Sequence, residues 1–185
     1  MECYGLAEIP SADFYCESCL AVDEAAASTK CILCFSRLGI MRRSTCGQWV
    51  HPICVLFTPE LIVDDNMRAC NLNHLNKIRN DLWCRMCRMQ GGAVIQCSHV
   101  SCLCAFHPHC AFQSPHSSAM MVTRMSELDE SISYLLFCED HRSTLNMDGY
   151  VLISSTHPMN DSCSSSLAFE ETPIGKRQLT VKRKR

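Results

Sequence analysis

Cysteine and histidine residues occur in closely spaced pairs in the middle of the sequence, and their spacing predicts metal binding. Three of the four pairs between residues 84 and 141 are separated by two residues, and the fourth by four. A two-residue gap lets both side chains of a tight turn face one ion. Because tetrahedral zinc takes four ligands, eight candidates make two closed sites with no open position for chemistry. These candidates are Cys84, Cys87, Cys97, Cys102, His107, Cys110, Cys138 and His141.

A further quartet precedes this stretch. Cys31 and Cys34 form one pair and His51 and Cys54 the other, with sixteen residues between the two pairs. This spacing suits one more zinc ion. Cys46 lies inside the quartet but outside its pairing, and we interpret it as a free thiol. The alternative is a set of unrelated buried cysteines and histidines, which the regular gaps make improbable.

The composition is that of a small scaffold held by disulfides or metals, since 16 of the 185 residues are cysteine. Pairs that combine cysteine with histidine favour zinc in a reducing compartment, with disulfides as the alternative. The first residues show no basic patch followed by an apolar run, so no secretory signal is expected. No stretch approaches the roughly 18 apolar residues of a membrane span, and no membrane partner is predicted.

The order of the ligands resembles that of a known family. A single histidine in fifth place, after four cysteines, is the pattern of the plant homeodomain (PHD) finger. The closing His141, where most such fingers have cysteine, resembles the second finger of an extended PHD domain, as does the run from Ala105 to Phe112. A zinc knuckle precedes that finger in the family, and the residues that resemble it here are Trp49-Val50-His51 and Cys54-Val55-Leu56-Phe57.

The resemblance implies a small zinc-stabilised α+β fold with little regular secondary structure, in which a zinc knuckle is followed by a cross-brace PHD finger. In a cross-brace the ligand pairs interleave, so pairs one and three hold one ion and pairs two and four another. Three zinc ions are therefore expected in all. Their ligands are Cys31, Cys34, His51 and Cys54 for the first, Cys84, Cys87, His107 and Cys110 for the second, and Cys97, Cys102, Cys138 and His141 for the third.

The chain divides into three expected segments. Residues 1–20 resemble the last third of another PHD finger, and we interpret them as the remnant of a truncated first finger, with a loose amino-terminal arm as the alternative. Residues 28–142 are the expected extended PHD domain, with the zinc knuckle over 31–54 and the PHD finger over 84–141. Residues 143–185 are predicted to be a mostly disordered tail. Its basic end suits nuclear import, a DNA-phosphate contact or simple solvation.

Short elements must position the ligands. We expect one helical turn over residues 52–57, directly after a ligand, and two short strands at 93–96 and 105–106. The long gap between the sixth and seventh ligands of the finger predicts an insertion loop, with Ile132 to Phe137 as its returning strand. Two residues beside the ligands are assigned no metal: Trp83 is predicted to be core, and Cys104 is spare.

The charge of the chain is unevenly distributed. The net charge is −2, but residues 30–110 hold nine basic residues against four acidic ones, whereas residues 1–24 hold six acidic and no basic ones. If the basic side chains lie on one face, they bind nucleic-acid phosphates without base specificity. A scattered solvated surface is the alternative. The candidate contacts are Arg37, Arg42, Arg43, Lys77, Arg79, Arg85 and Arg88.

These features favour a binding module over an enzyme. In the proteins that the resemblance indicates, namely scaffolds of histone acetyltransferase complexes and trithorax-type methyltransferases, such modules bind the histone H3 tail, the nucleosome or DNA. A nuclear, zinc-dependent chromatin-binding module in transcription regulation is therefore expected. The alternatives are a non-catalytic scaffold that binds subunits of a histone-modifying complex and a non-specific DNA-binding module. No aromatic residue lies between Cys84 and Cys97, so this finger is not expected to bind trimethyl-lysine through an aromatic cage.

Overall fold

The computed structural model describes residues 11, 13–21, 29–113, 119–126, 131–143, 146 and 148–153. The elements are short. The helices are α1 (Glu17–Leu20), α2 (Pro52–Leu56), α3 (Pro108–Gln113) and α4 (Glu139–Arg142), and two 3-10 helices cover Leu72–His74 and Lys77–Asp81. The strands are β1 (Arg42–Arg43), β2 (Trp49–Val50), β3 (Ile62–Val63), β4 (Ala69–Cys70), β5 (Ile95–Gln96), β6 (Ala105–Phe106), β7 (Ala119–Met125), β8 (Ile132–Cys138) and β9 (Tyr150–Ile153). Within these ranges, every helix is too short or too polar to cross a bilayer.

Three of the helices begin directly after a candidate metal ligand and contain the next one. Helix α2 follows His51 and contains Cys54, and its first residue is proline, which has no N–H to leave unsatisfied at this position. The predicted helical turn over 52–57 is therefore confirmed, ending at Leu56. Helix α3 follows His107 in the same way, and α4 follows Cys138. In these three pairs, the two-residue gap thus places both ligands on one helical turn.

The strands form four small antiparallel sheets in the order β1-β2, β3-β4, β5-β6 and β8-β7-β9. The predicted strands at 93–96 and 105–106 are found as β5 and β6, with β5 limited to Ile95–Gln96. The prediction of an insertion loop between the ligands of the finger was wrong for residues 119–125. These residues form β7, which pairs along its whole length with β8 and then with β9.

The core runs continuously from the first quartet to the strands of the insertion. The Ala93 amide donates a 2.7 Å hydrogen bond to the Leu33 carbonyl, which joins residues of the two predicted zinc units. Beside it, Gly92 has a φ of +71°, and a Cβ there would lie 2.4 Å from the same carbonyl oxygen. His51 and His109 stack with ring centroids 3.8 Å apart. The first quartet and the finger therefore pack as one unit.

The predicted tail beyond residue 153 and its basic end lie outside the described residues, as does most of the acidic amino-terminal stretch. The described part of that stretch includes α1, which docks on β1. The Glu17 carboxylate accepts a 2.8 Å hydrogen bond from the Arg43 backbone amide. It also forms an ion pair with Arg68 at 2.9 Å. One carboxylate thus holds the amino-terminal helix against two arginine-bearing segments.

Candidate metal centres

The first cluster lies between the β1-β2 hairpin and α2. Its members are the predicted Cys31, Cys34, His51 and Cys54, all buried, with ligand atoms within 4.8 Å of one another. His51 Nδ1 lies 3.2 Å from the sulfur of Cys34 and 3.9 Å from that of Cys54. Tetrahedral zinc with sulfur at about 2.3 Å separates its ligands by roughly 3.5–3.8 Å, so the cluster has the right size.

The second cluster repeats this arrangement inside the finger. The ligand atoms of Cys84, Cys87, His107 and Cys110 again lie within 4.8 Å of one another. His107 Nδ1 is 3.3 Å from the sulfur of Cys87 and 3.9 Å from that of Cys110. The backbone N–H of His107 points at the sulfur of Cys84, 3.3 Å away, so it favours a thiolate there.

In both clusters the second ring nitrogen of the histidine is fixed by a carbonyl. His51 Nε2 donates to the Leu38 carbonyl at 2.7 Å, and His107 Nε2 donates to the Gly91 carbonyl at 2.9 Å. Because a carbonyl only accepts, the proton must lie on Nε2, which leaves the Nδ1 lone pair facing the sulfurs. This is the outer-shell arrangement that metal-ligating histidines usually have. The orientation and tautomer of both histidines therefore fit a zinc ligand.

The third cluster joins the β5-β6 loop to the end of β8 and to α4. Its members are Cys97, Cys102, Cys138 and His141, within 4.8 Å of one another. The sulfurs of Cys102 and Cys138 are 3.8 Å apart, and His141 Nδ1 lies 3.2 Å from Cys138 and 3.7 Å from Cys97. The pairs therefore interleave across the finger as a cross-brace. The three clusters of four ligands fit three zinc ions.

The thiols of the first two clusters share their protons unequally. The hydrogen bond from Cys110 outweighs burial and lowers the pKa of Cys84 to about 3, while the same bond and burial raise the pKa of Cys110. Burial opposes ionisation of Cys31, but hydrogen bonds from Cys34 and Cys54 outweigh it and lower its pKa. Zinc must displace the protons that remain on the other thiols, so its affinity falls as the pH falls.

The structure shows which candidate phosphate contacts are engaged within the protein, and three of the seven serve structural contacts. Arg42 is buried, 3.6 Å from the Glu17 carboxylate. Arg43 lies over the ring of Trp49, 4.3 Å from its centroid. Arg79 makes a two-pronged ion pair with Glu60, described below. Acidic or aromatic partners thus engage these three arginines within the protein, and a phosphate contact by any of them stays a prediction.

Four candidate cations remain on the surface. Arg37, Lys77, Arg85 and Arg88 are all exposed. Arg85 nevertheless donates a 3.0 Å hydrogen bond to the sulfur of Cys104, a residue that sequence reasoning left without a role. Cys104 could have been flagged only by its position two residues after a ligand.

Trp83 was predicted to be core, and the prediction was wrong. Its side chain is 60% exposed, whereas Trp49 is buried at 6%. Trp83 forms an antiparallel bridge with Gln90, and neighbouring residues of an extended segment point to opposite sides. Because the next residue, Cys84, points into the second cluster, Trp83 must point outward. The position of Trp83 directly before a metal ligand was the sequence signal that could have predicted its exposure.

A small domain with three closed, four-ligand clusters, one in a knuckle and two cross-braced in a finger, is by class a structural zinc-binding domain. The family model described as a PHD-zinc-finger like domain matches residues 29–141, and the chain belongs to this family. The predicted family and fold class are thereby confirmed. A crystal structure of zebrafish PHF14-PZP aligns with a TM-score of 0.52 and 21% identity, covering 76% of this chain and 72% of that chain.

Curated relatives agree in family. Protein Jade-1 of Xenopus laevis is 29% identical over 171 residues, which cover 90% of this chain and 20% of that protein. Human E3 ubiquitin-protein ligase Jade-2 is 33% identical over 143 residues, 75% of this chain and 17% of that protein. Histone H3-lysine(4) N-trimethyltransferase ATX1 of Arabidopsis thaliana is 35% identical over 121 residues, which cover 62% of this chain and 11% of that protein. The chain thus spans a fifth or less of these relatives.

Proposed function

We propose that this chain is a non-catalytic, zinc-dependent chromatin-binding module that acts in the nucleus in transcription regulation. It contacts the nucleosome through the histone H3 tail, through DNA phosphates, or through both. The observation that carries the proposal is the completeness of the three metal clusters. Each offers four protein donor atoms, so zinc serves to shape a binding surface.

The relatives support the chromatin part of the proposal. ATX1 is named for an activity on histone H3, and Jade-2 for ubiquitin ligation. This chain aligns with 11% and 17% of those two proteins, so we propose that it shares their zinc module and not their catalytic activities. A module of this kind brings its parent complex to a target rather than modifying the target itself.

The exposed cations support a nucleosome contact. Since Arg42, Arg43 and Arg79 are engaged by partners within the protein, the proposed phosphate contacts are the exposed Arg37, Lys77, Arg85 and Arg88. Each phosphate that such a side chain neutralises releases about one counterion, so binding by this surface falls steeply with salt. A histone-tail contact, by contrast, depends on the sequence of the tail.

The test is binding of the zinc-loaded chain to nucleosomes with and without the H3 tail, at two salt concentrations. Loss of affinity on tail removal supports histone binding. Affinity that ignores the tail but falls with salt supports DNA binding, and the double variant Lys77→Gln/Arg88→Gln then lowers the salt slope by about 2. Arg124→Gln, a matched loss of an exposed cation on β7, leaves the slope unchanged.

A second candidate is a non-catalytic scaffold that binds subunits of a histone-modifying complex. Large apolar side chains on the β5-β6 loop favour it, since Val100 and Leu103 are both more than 80% exposed. Absence of nucleosome binding in every condition of the test above, by protein that retains its zinc, would favour the scaffold over the chromatin-binding module.

A further inference from the structure

A second group of metal-ligating atoms lies directly against the third zinc cluster. The sulfur of Cys104, the sulfur of Cys138 and a carboxylate oxygen of Asp140 lie within 4.8 Å of one another. Cys138 is also a member of the third cluster, so the two groups share one sulfur. Cys104 directly precedes β6, and its carbonyl accepts a 2.7 Å hydrogen bond from the Cys97 amide.

One cation of the protein already contacts this group. The Arg85 guanidinium donates to the Cys104 sulfur at 3.0 Å. Arg85 is exposed, so its guanidinium can move away from the sulfur.

The charge balance favours a divalent ion at this position. Three thiolates and one zinc ion give the third centre a net charge of about −1. A dication held by the Cys104 thiolate and the Asp140 carboxylate adds no net charge to it. A second dication in place of Arg85 leaves about −1. Two sulfurs and one oxygen are ligands suited to zinc and to softer ions such as cadmium.

We propose that Cys104, Cys138 and Asp140 form a fourth metal site, in which the Cys138 sulfur bridges two ions. The site takes Zn²⁺ or Cd²⁺ with three protein ligands and water in the remaining position. On binding, the Cys104 thiol gives its proton to solvent and Arg85 moves off the sulfur. Because Arg85 competes for the site and the two ions repel each other, the fourth ion binds more weakly than the other three.

The experiment counts metal ions by native mass spectrometry on the zinc-purified chain, titrated with added Zn²⁺ and, separately, Cd²⁺. The wild type is expected to carry three ions after purification and four in excess metal. Cys104→Ser stops at three, and the retained three show that it is folded. Cys46→Ser, which removes an exposed thiol outside every cluster, reaches four as the wild type does.

Competition by Arg85 gives a second, independent measurement. Arg85→Gln is expected to tighten binding of the fourth ion on the order of tenfold, the size of effect that neighbouring groups have on metal affinity. Arg88→Gln, an exposed arginine on the same turn, leaves it unchanged. A wild type that stops at three ions overturns the proposal, and so does a Cys104→Ser variant that takes up the fourth ion with wild-type affinity.

Discussion

The ion pair between Arg79 and Glu60 gives the sharpest test of the structure, because sequence reasoning placed Arg79 on a phosphate-binding surface. Arg79 Nε and Nη2 donate to the two carboxylate oxygens at 3.0 Å each, and Nη1 donates to the Val94 carbonyl at 2.8 Å. The side chains are 15% and 24% exposed. The ion pair closes the segment between knuckle and finger on itself, and the hydrogen bond to the Val94 carbonyl fastens that segment to the finger.

The expected cost of Arg79→Ala follows from these contacts. Hydrogen bonds to charged groups contribute about 1.5–3 kcal/mol each when isolated, but they are not additive. Breaking a fully buried pair costs about 3–5 kcal/mol, and the partial exposure of Glu60 reduces this because water can solvate the carboxylate left behind. We therefore expect Arg79→Ala to lower the free energy of unfolding by about 2 kcal/mol.

The assay is urea unfolding in saturating zinc, followed by circular dichroism. Lys77→Ala is the matched control, since Lys77 is exposed on the same 3-10 helix, and it should change stability by less than about 0.5 kcal/mol. A double-mutant cycle with Glu60→Gln should give a coupling energy of about 1 kcal/mol. An Arg79→Ala variant no less stable than Lys77→Ala would refute the reasoning and return Arg79 to the phosphate-binding candidates.

Three further outcomes are expected. Trp49→Ala should cost about 3–5 kcal/mol and Trp83→Ala less than about 1 kcal/mol in the same assay, and equal losses would contradict the outward position of Trp83. Gly92→Ala should destabilise by about 2 kcal/mol more than Gly47→Ala, because both have positive φ but only a Cβ at 92 meets a backbone oxygen. A Gly47→Ala variant as unstable as Gly92→Ala would show that the close approach to Leu33 is not what requires glycine. In peptide titrations, residues 31–141 should bind trimethylated and unmodified H3 tails equally, because no aromatic residue lies between Cys84 and Cys97, and a preference for the trimethylated tail would contradict this expectation.

The metal clusters could be predicted from sequence because their geometry is local. In each His-x2-Cys or Cys-x2-His pair, the first ligand directly precedes a helical turn that contains the second. Joining the pairs into clusters involves residues distant in the sequence, and the resemblance to a known family supplied the interleaved pairing of the finger. Cys104 illustrates the limit: its proximity to Asp140 depends on how β8 and α4 return to the β5-β6 loop.

The surface could not be predicted in the same way. Neighbouring arginines in a sequence predict a basic patch, because the sequence does not show which acidic side chains the fold brings next to them. Glu17, the partner of Arg42, lies 25 residues away along the chain. Strand β7 was missed for a related reason, since its methionine-rich sequence has no clear alternation and both Met121 and Val122 are buried. Its strand conformation comes from pairing with β8 and β9 rather than from local propensity.

The measurement that tests the central claim most directly is the metal content of the chain followed together with its fold. Small units of this size bury too little apolar surface to be stable alone, and a structural zinc ion contributes on the order of 10 kcal/mol at neutral pH. Native mass spectrometry without added metal should show three zinc ions, and a chelator that removes them should abolish the near-ultraviolet circular dichroism of residues 31–141. A metal-free chain with an unchanged spectrum, or a folded chain with fewer than three ions, would contradict the account.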